Sequence, residues 1–471
     1  MTLIPADKDE LNFPASKKVV ETLSSYDSET ICRYQKEPPL LEALAQKHDL
    51  PKERLFLEQG VIGIIHRVFD YMLTPQSSVL LPELGFPYYH RLASHHKAGI
   101  TTFSFQDRQD SFGYDLEDLS EKVQQKPDIV VLIDPEGPLG FSTSDSDLQR
   151  VLEATPKETL ILLDQAHEGF REDYVKDVTD LISKFPNLLV ARGFSKFYGL
   201  AGLRIAYALC GEDVKKMINF HERYLGFDNL AQRVAIAALQ SEDHYKENAH
   251  QIREEKKRFN HAVRALPGYR VLETDNASSV VVVPERQSTF LREQAKAVGV
   301  AIRHLGDYHK RLTDFYRITM CPTEETDRII NLFCSVSWLY DLEVHNSDAV
   351  PIINTREAGY TVHRREVPCD KAGLLMGLHR VIVPPGKNVP VHCHNEQDEF
   401  FEFHSKAYIE VNGRRIETQP GQWVKINAGD THYIEAPEHS FARFIGLRFP
   451  YLHQDKYAQT GMQVIHEPGR K

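Results

Sequence analysis

The stretch Ser195-Lys196-Phe197-Tyr198-Gly199-Leu200-Ala201-Gly202-Leu203-Arg204 sets one lysine in a glycine-rich turn shortly after an apolar run, Leu188-Leu189-Val190-Ala191. An amine that must form a Schiff base with a phosphorylated cofactor needs a rigid support and an anion site beside it. Ser195 and Arg204 supply donors suited to a phosphate, Arg204 as a planar fork. The glycines let backbone approach closely.

Working outward, further runs read as strands covered on both faces: Ser78-Val79-Leu80-Leu81-Pro82, residues 128–134 and Leu160-Ile161-Leu162-Leu163-Asp164. Helical pattern falls between them, as in Ser144 to Glu153. That alternation predicts a mostly parallel sheet of α/β type. Residues from Asp228 to Leu266 read as helical, short strands return at Ser279–Val283 and Tyr316–Thr319, and a helix is expected from Glu324 to Tyr340. A second, smaller α/β subdomain accounts for this half.

Two strand ends carry further chemistry. Asp164 closes its apolar run, where a carboxylate can pair with a pyridinium nitrogen and keep that ring an electron sink. Arg317, in Phe315-Tyr316-Arg317-Ile318-Thr319, has the fork needed to clamp a substrate carboxylate.

On these residues the region from Leu11 to Leu342 resembles the fold-type I, class I/II pyridoxal-phosphate aminotransferases, most closely their histidinol-phosphate branch. The family's lysine signature is matched at Ser195, Lys196, Gly199, Leu200, Ala201, Gly202 and Arg204. Its D-E-A-Y element corresponds to Asp164-Gln165-Ala166-His167, and its N-P-N-N-P-T-G loop to residues 134–140. The ring-stacking aromatic corresponds to Phe86 and the phosphate-loop glycine to Gly60. By the same resemblance Lys196 is the catalytic lysine and Gly60, Ser195 and Arg204 hold the phosphate. Arg317 binds the substrate, Tyr34 reaches the cofactor of a neighbouring subunit, and the protein is a homodimer. Residues 11–14 and the loop 225–229 are expected to face the substrate. Gly137 replaces the family's ring-binding Asn and His167 the partnering Tyr. Gly193 and Val61 stand where the family has hydroxyls. His167 could still donate to the ring's 3′-oxygen. Small amino donors, with or without an acidic group, and a keto-acid acceptor are implied. Transamination, decarboxylation, elimination and oxidation stay open.

After Leu342 the pattern changes. Residues 343–368 are polar and aperiodic and are expected to be a linker between an aminotransferase-like unit, 1–342, and a third unit, 369–471. In the latter, short alternating runs recur between turn residues: GLHRVIVPPG (377–386), KAYIEVNG (406–413), QWVKINAG (422–429) and FARFIGLRFP (441–450). That spacing predicts an all-β barrel. His392 and His394 stand two apart, so on a strand they share a face. With Glu399 and His432 they make a His₃Glu set suited to Fe, Mn, Ni, Co or Zn. The frame resembles the two cupin motifs, matched at Gly386, His392, His394 and Glu399, then at Gly421, Gly429 and His432. Lys406, Asn427 and Ala436 depart from it at turn positions. The fusion implies a bifunctional enzyme, or an aminotransferase gated by a ligand-sensing barrel.

Composition bounds the rest. The 471 residues suggest roughly three folding units. A formal charge of −11 argues against nucleic acid and anionic lipid as partners. The six cysteines form no framework and read as reduced thiols. No apolar run is long enough for a signal peptide or a membrane span, so a cytoplasmic protein is expected.

Overall fold

The computed structural model describes residues 3–25, 27, 32–34, 38–172, 177–218, 227–266, 268–274, 277–284, 288–340, 352–355, 360–368, 375–449 and 457–458. A seven-stranded sheet runs in the order Leu55–Glu58, Ala206–Cys210, Leu188–Gly193, Leu160–Asp164, Ile129–Ile133, Ser78–Pro82, Gly99–Phe103. The last five are mutually parallel, and Ala206–Cys210 is antiparallel to both of its neighbours.

The near-continuous apolar runs have a direct cause. Successive side chains of a strand point to opposite faces. Val130 and Leu132 join one buried cluster, while Ile129, Val131 and Ile133 join a second. Ile161 and Leu163 part from Leu160 and Leu162 in the same way. Helices cover both faces, so neither set can be polar. In such sheets the crevice at the carboxyl ends of the strands collects function, and Asp164, Gly193 and Ile133 all end strands there.

A second, five-stranded sheet has the order Ile4–Ala6, Val300–His304, Tyr316–Thr319, Ser279–Pro284, Tyr269–Leu272. Helices Glu242–Arg264 and Thr323–Tyr340 pack on each other through Phe259 and Phe333, whose rings are 5.4 Å apart. The helical stretch expected from 228 to 266 divides into Asn229–Leu239 and Glu242–Arg264. Asp228 caps the first by accepting from Ala231 N, and Ser241 Oγ donates to the Ala237 carbonyl at its end, competing with the helical ladder.

The C-terminal region is all-β. One sheet runs Ile352–Thr355, Thr361–Pro368, Leu375–Val383, Ala442–Phe449, Asp398–Phe403, Trp423–Ile426. The other runs Arg414–Thr418, Ala407–Val411, His432–Glu435, Asn388–Cys393, Tyr457–Ala458. Val383, Phe403, Ile409, Ile434 and Phe444 fill the space between them. Residues 352–355 and 361–368 fall in the stretch expected to be a linker, yet they are strands, and Thr361–Pro368 pairs along its whole length with Leu375–Val383. Thr361–Pro368 lies between Ile352–Thr355 and Leu375–Val383, and Pro368, which has no N–H to donate, is its last residue. Residues 343–351 lie outside the described part.

Cys32, Cys210, Cys321, Cys334 and Cys393 are free thiols, and Cys369 lies outside the described residues. Among the described residues no helix is long and apolar enough to cross a membrane.

Candidate functional site

A cavity of about 470 Å³ opens where the carboxyl ends of the large sheet meet the smaller sheet. Phe86, Asp164, His167, Ser195, Lys196, Arg204 and Arg317, each singled out from sequence, all line it. Gly60 lies behind Arg204: a Cβ on it would fall 2.5 Å from Arg204 Nη2, and its φ is +72°. It opens the 13-residue helix Gly60–Met72, whose N-cap Gln59 makes no side-chain capping bond. The first-turn N–H groups of such a helix and a guanidinium beside them form an anion cradle. Tyr34 is 75% exposed and is not part of this cavity.

Burial sets the electrostatics. Lys196 Nζ donates to the carbonyl of Lys8 at 2.8 Å. Its basicity is below that of an ordinary lysine, because burial, with Arg317 and Arg204 beside it, outweighs the carboxylates of Asp9 and Glu10. Asp164 is buried, which raises its pKa, while Tyr89 Oη (2.7 Å) and Ala166 N (2.9 Å) donate to its two oxygens. His167 is pushed down to about 4, chiefly by burial, so its imidazole is neutral at physiological pH.

The departures from the family pattern occur as spatial pairs. A Cβ on Gly137 would meet His167 Nε2 at 2.9 Å, so the imidazole uses room that a longer side chain at 137 would need. A Cβ on Gly193 would meet Val61 Cγ2 at 3.3 Å. Each replacement is sterically compensated by its partner.

Sequence reading missed Asp9, Glu136, Arg303 and Tyr308. Strand Ile4–Ala6 runs parallel beside Val300–His304, and the chain then enters the cavity through Lys8, Asp9 and Glu10. Residues 11–14 do not line the cavity: Leu11 packs over Gly199, and Asn12 Nδ2 donates to the Met320 carbonyl at 3.3 Å. Of the loop 225–229, Phe227 and Asp228 line a recess next to Arg204, and residues 225 and 226 lie outside the described part. Asp9 Oδ2 is 2.7 Å from Arg317 Nη1, with both side chains buried. Glu136 is pushed up to about 8 by burial, which outweighs the amide of Leu139 donating to it and the nearby Arg317. An acid next to Gly137 was the available signal for Glu136. Asp9 offered none, since its partner lies some three hundred residues away.

In the barrel, His392, His394, Glu399 and His432 are all buried, and their ligand atoms lie within 4.8 Å of one another. His392 pairs with His432 across neighbouring strands, beside a bulge in the ladder. His392 Nδ1 is 2.7 Å from the Pro390 carbonyl, leaving Nε2 turned to the group. Glu399 lies 3.4 Å from His394 Nε2 and 2.9 Å from His432 Nε2, and it is paired with Arg448. Burial raises its pKa, but Arg448, His394 and His432 together hold it well below the usual carboxylate range. Four convergent N and O donors with an ionised carboxylate fit a divalent cation.

Residues 7–333 match the family of class I and II aminotransferases. The chain is 26% identical over 281 residues to a histidinol-phosphate aminotransferase of Chlorobaculum tepidum, covering 59% of this chain and 78% of that one. A second such enzyme, from Carboxydothermus hydrogenoformans, is 27% identical over 62% of this chain and 79% of its own. Among solved structures, histidinol-phosphate aminotransferase from Sinorhizobium meliloti in complex with pyridoxal 5′-phosphate superposes with a TM-score of 0.64 at 23% identity, covering 71% of this chain and 92% of that one. L-threonine-O-3-phosphate decarboxylase from Porphyromonas gingivalis has the same fold, with a TM-score of 0.61 at 17% identity over 71% of this chain and 99% of that one. With the family's residues matched over most of its length and a lysine, an aspartate and an anion cradle at one crevice, this chain belongs to the class I and II aminotransferases, which are pyridoxal-phosphate-dependent transferases.

Proposed function

We propose that the chain moves the amino group of a small amino acid or amine to a carbonyl acceptor, using pyridoxal phosphate bound in the cavity around Lys196. The observation that carries this reading is the convergence of Lys196, Asp164 and the Gly60–Arg204 cradle on one crevice. The cofactor supplies a carbonyl that captures the donor amine and a ring that takes up the electron pair released at the donor's α-carbon. Gly60 N–H, Ser195 and Arg204 would hold its phosphate, Phe86 would cover its ring, and Asp164 would face its ring nitrogen. His167, neutral and half-buried, offers a hydrogen bond to the ring oxygen. Lys196 Nζ would hold the cofactor's carbonyl carbon and would be the group that takes up and returns the proton of the donor's α-carbon. Arg317 and Arg303 form the cationic wall on the substrate side. Tyr34 is assigned to the cavity of a second copy, in a homodimer.

The test is the visible absorbance of the purified chain, read before and after adding a panel of amino donors, with the keto product assayed. A yellow band that bleaches with one donor and yields its carbonyl product supports the reading. A band that never forms, or one that changes without product, overturns it. Gly60→Ala is expected to raise the cofactor dissociation constant by roughly tenfold, because a methyl at positive φ displaces Arg204. Fluorescence titration of cofactor into the apoprotein checks this.

The barrel, in our reading a unit that includes strands 352–368, is proposed to bind a divalent metal through His392, His394, Glu399 and His432 and to act in the same pathway. The four buried donors support this. His432→Ala is expected to weaken metal binding by roughly a hundredfold or more. Elemental analysis after dialysis reads the loss directly, and unchanged metal content would remove these ligands from the proposal.

A further inference from the structure

Arg317, the arginine expected to clamp a substrate carboxylate, is already engaged by this chain's own carboxylate. Asp9 Oδ2 stands 2.7 Å from Nη1, with the two side chains only 2% and 7% exposed. The other terminal nitrogen, Nη2, donates to the Asp7 carbonyl at 3.2 Å. Both ends of the fork are therefore used within the chain.

The arrangement is held from several sides. Strand Ile4–Ala6 is bonded to Val300–His304, and on that strand Arg303 lies in register with Arg317. Arg303 Nε donates to the same Asp7 carbonyl at 3.2 Å. Thr319, two residues beyond Arg317 and so on the same face of its strand, accepts from Asp9 N through Oγ1 at 2.9 Å. Asp9 itself has φ +53°, a left-handed conformation that aspartate adopts more readily than most residues. A second anion brought to Arg317 would meet the Asp9 carboxylate in a desolvated site, where like charges repel strongly. Asp9 lines the cavity with Lys196, and Arg317, Thr319 Oγ1 and Ser279 take up three of the roughly four lone-pair sites on its carboxylate. The remaining one can accept a hydrogen bond from a hydroxyl or an ammonium.

We propose that Asp9 determines donor specificity by filling the anion subsite of Arg317, so that the preferred donor presents a hydroxyl or a second amine there instead of a carboxylate or phosphate. This inference rests on the aminotransferase reading of the cavity and narrows its substrate class to amino alcohols and diamines.

Two measurements test it. In the first, the cofactor-loaded chain is mixed with L-leucine, L-leucinol or 1,4-diaminobutane, and bleaching of the cofactor band is timed. The wild type should favour leucinol or the diamine over leucine by roughly ten- to hundredfold, the value of one charged hydrogen-bonded contact. Asp9→Asn should erase or reverse that preference. Equal rates for leucine and leucinol in the wild type, or an unchanged ratio in the variant, would overturn the proposal. In the second, succinate is titrated calorimetrically into the cofactor-free chain. No binding is expected for the wild type, and binding that Arg317→Gln abolishes is expected for Asp9→Asn or, if that variant does not fold, Asp9→Ser. Succinate bound equally by the wild type overturns the proposal. If no cofactor band forms at all, the aminotransferase reading fails, and the calorimetry still decides whether Asp9 closes the anion subsite.

Discussion

Lys196→Ala is expected to lower amino-group transfer by at least roughly 10⁴-fold and to abolish the cofactor's visible band. The size follows from the position of the amine. Lys196 is half-buried at the strand-end crevice, its Nζ held by the Lys8 carbonyl at 2.8 Å. Burial and neighbouring arginines keep its basicity below that of a free lysine, so more of it is the neutral nucleophile at working pH. The same nitrogen is asked to carry both the covalent link and the proton, so no second group compensates for its loss. Lys196→Arg separates charge from nucleophilicity: it keeps the cation and should be as inactive as the alanine variant. Steady-state rates with the best donor, recorded beside absorbance spectra, check both. A variant retaining more than a few per cent of the rate would show that the chemistry lies elsewhere.

Glu136→Gln is expected to stabilise the protein at alkaline pH and to leave it nearly unchanged in acid. Burial pushes the Glu136 carboxyl up to about 8, whereas in an unfolded chain it ionises near 4.5. Below that lower value both states are protonated and nothing is lost. As pH rises from about 4.5 to 8 the unfolded chain releases a proton that the folded chain keeps, so folding becomes progressively less favourable. Above 8 the loss is complete, and linkage bounds it at about 5 kcal/mol. A glutamine carries no such cost, and its carbonyl can still accept from Leu139 N, as Glu136 Oε2 does at 2.8 Å. Thermal midpoints of wild type and variant should therefore coincide near pH 4 and diverge by several degrees by pH 9. Curves that stay parallel across that range would show that Glu136 ionises normally in the fold. His48 and His167, pushed down to about 3 and about 4 chiefly by burial, act with the opposite sign. Their neutral forms are favoured by folding, so the stability tied to them is lost as pH falls from about 6.5 through those values.

The exchanges at Gly137, His167, Gly193 and Val61 show what kind of information a linear reading loses. In sequence they are separate losses of polar contacts. In space His167 uses the room beside Gly137, and Val61 packs beside Gly193, so each pair is one substitution made at two places. The strands Ile352–Thr355 and Thr361–Pro368 were hidden for a related reason. A strand of mixed polar and apolar residues has little hydrophobic alternation of its own, and its identity comes from the neighbours with which it pairs.

The sequence by itself determined the large sheet, the lysine turn that follows one of its strands, and the histidine set of the barrel. Strands buried on both faces must be continuously apolar, and the lysine turn and the His392–His394 pair each keep their chemical groups within one short local stretch. Only the tertiary structure decided that three residues at the N-terminus, Ile4–Ala6, become a strand of the smaller sheet and steer Asp9 onto Arg317. So short a segment has no detectable period. The pairing of two charges some three hundred residues apart depends on sheet register, which no local pattern of residues records.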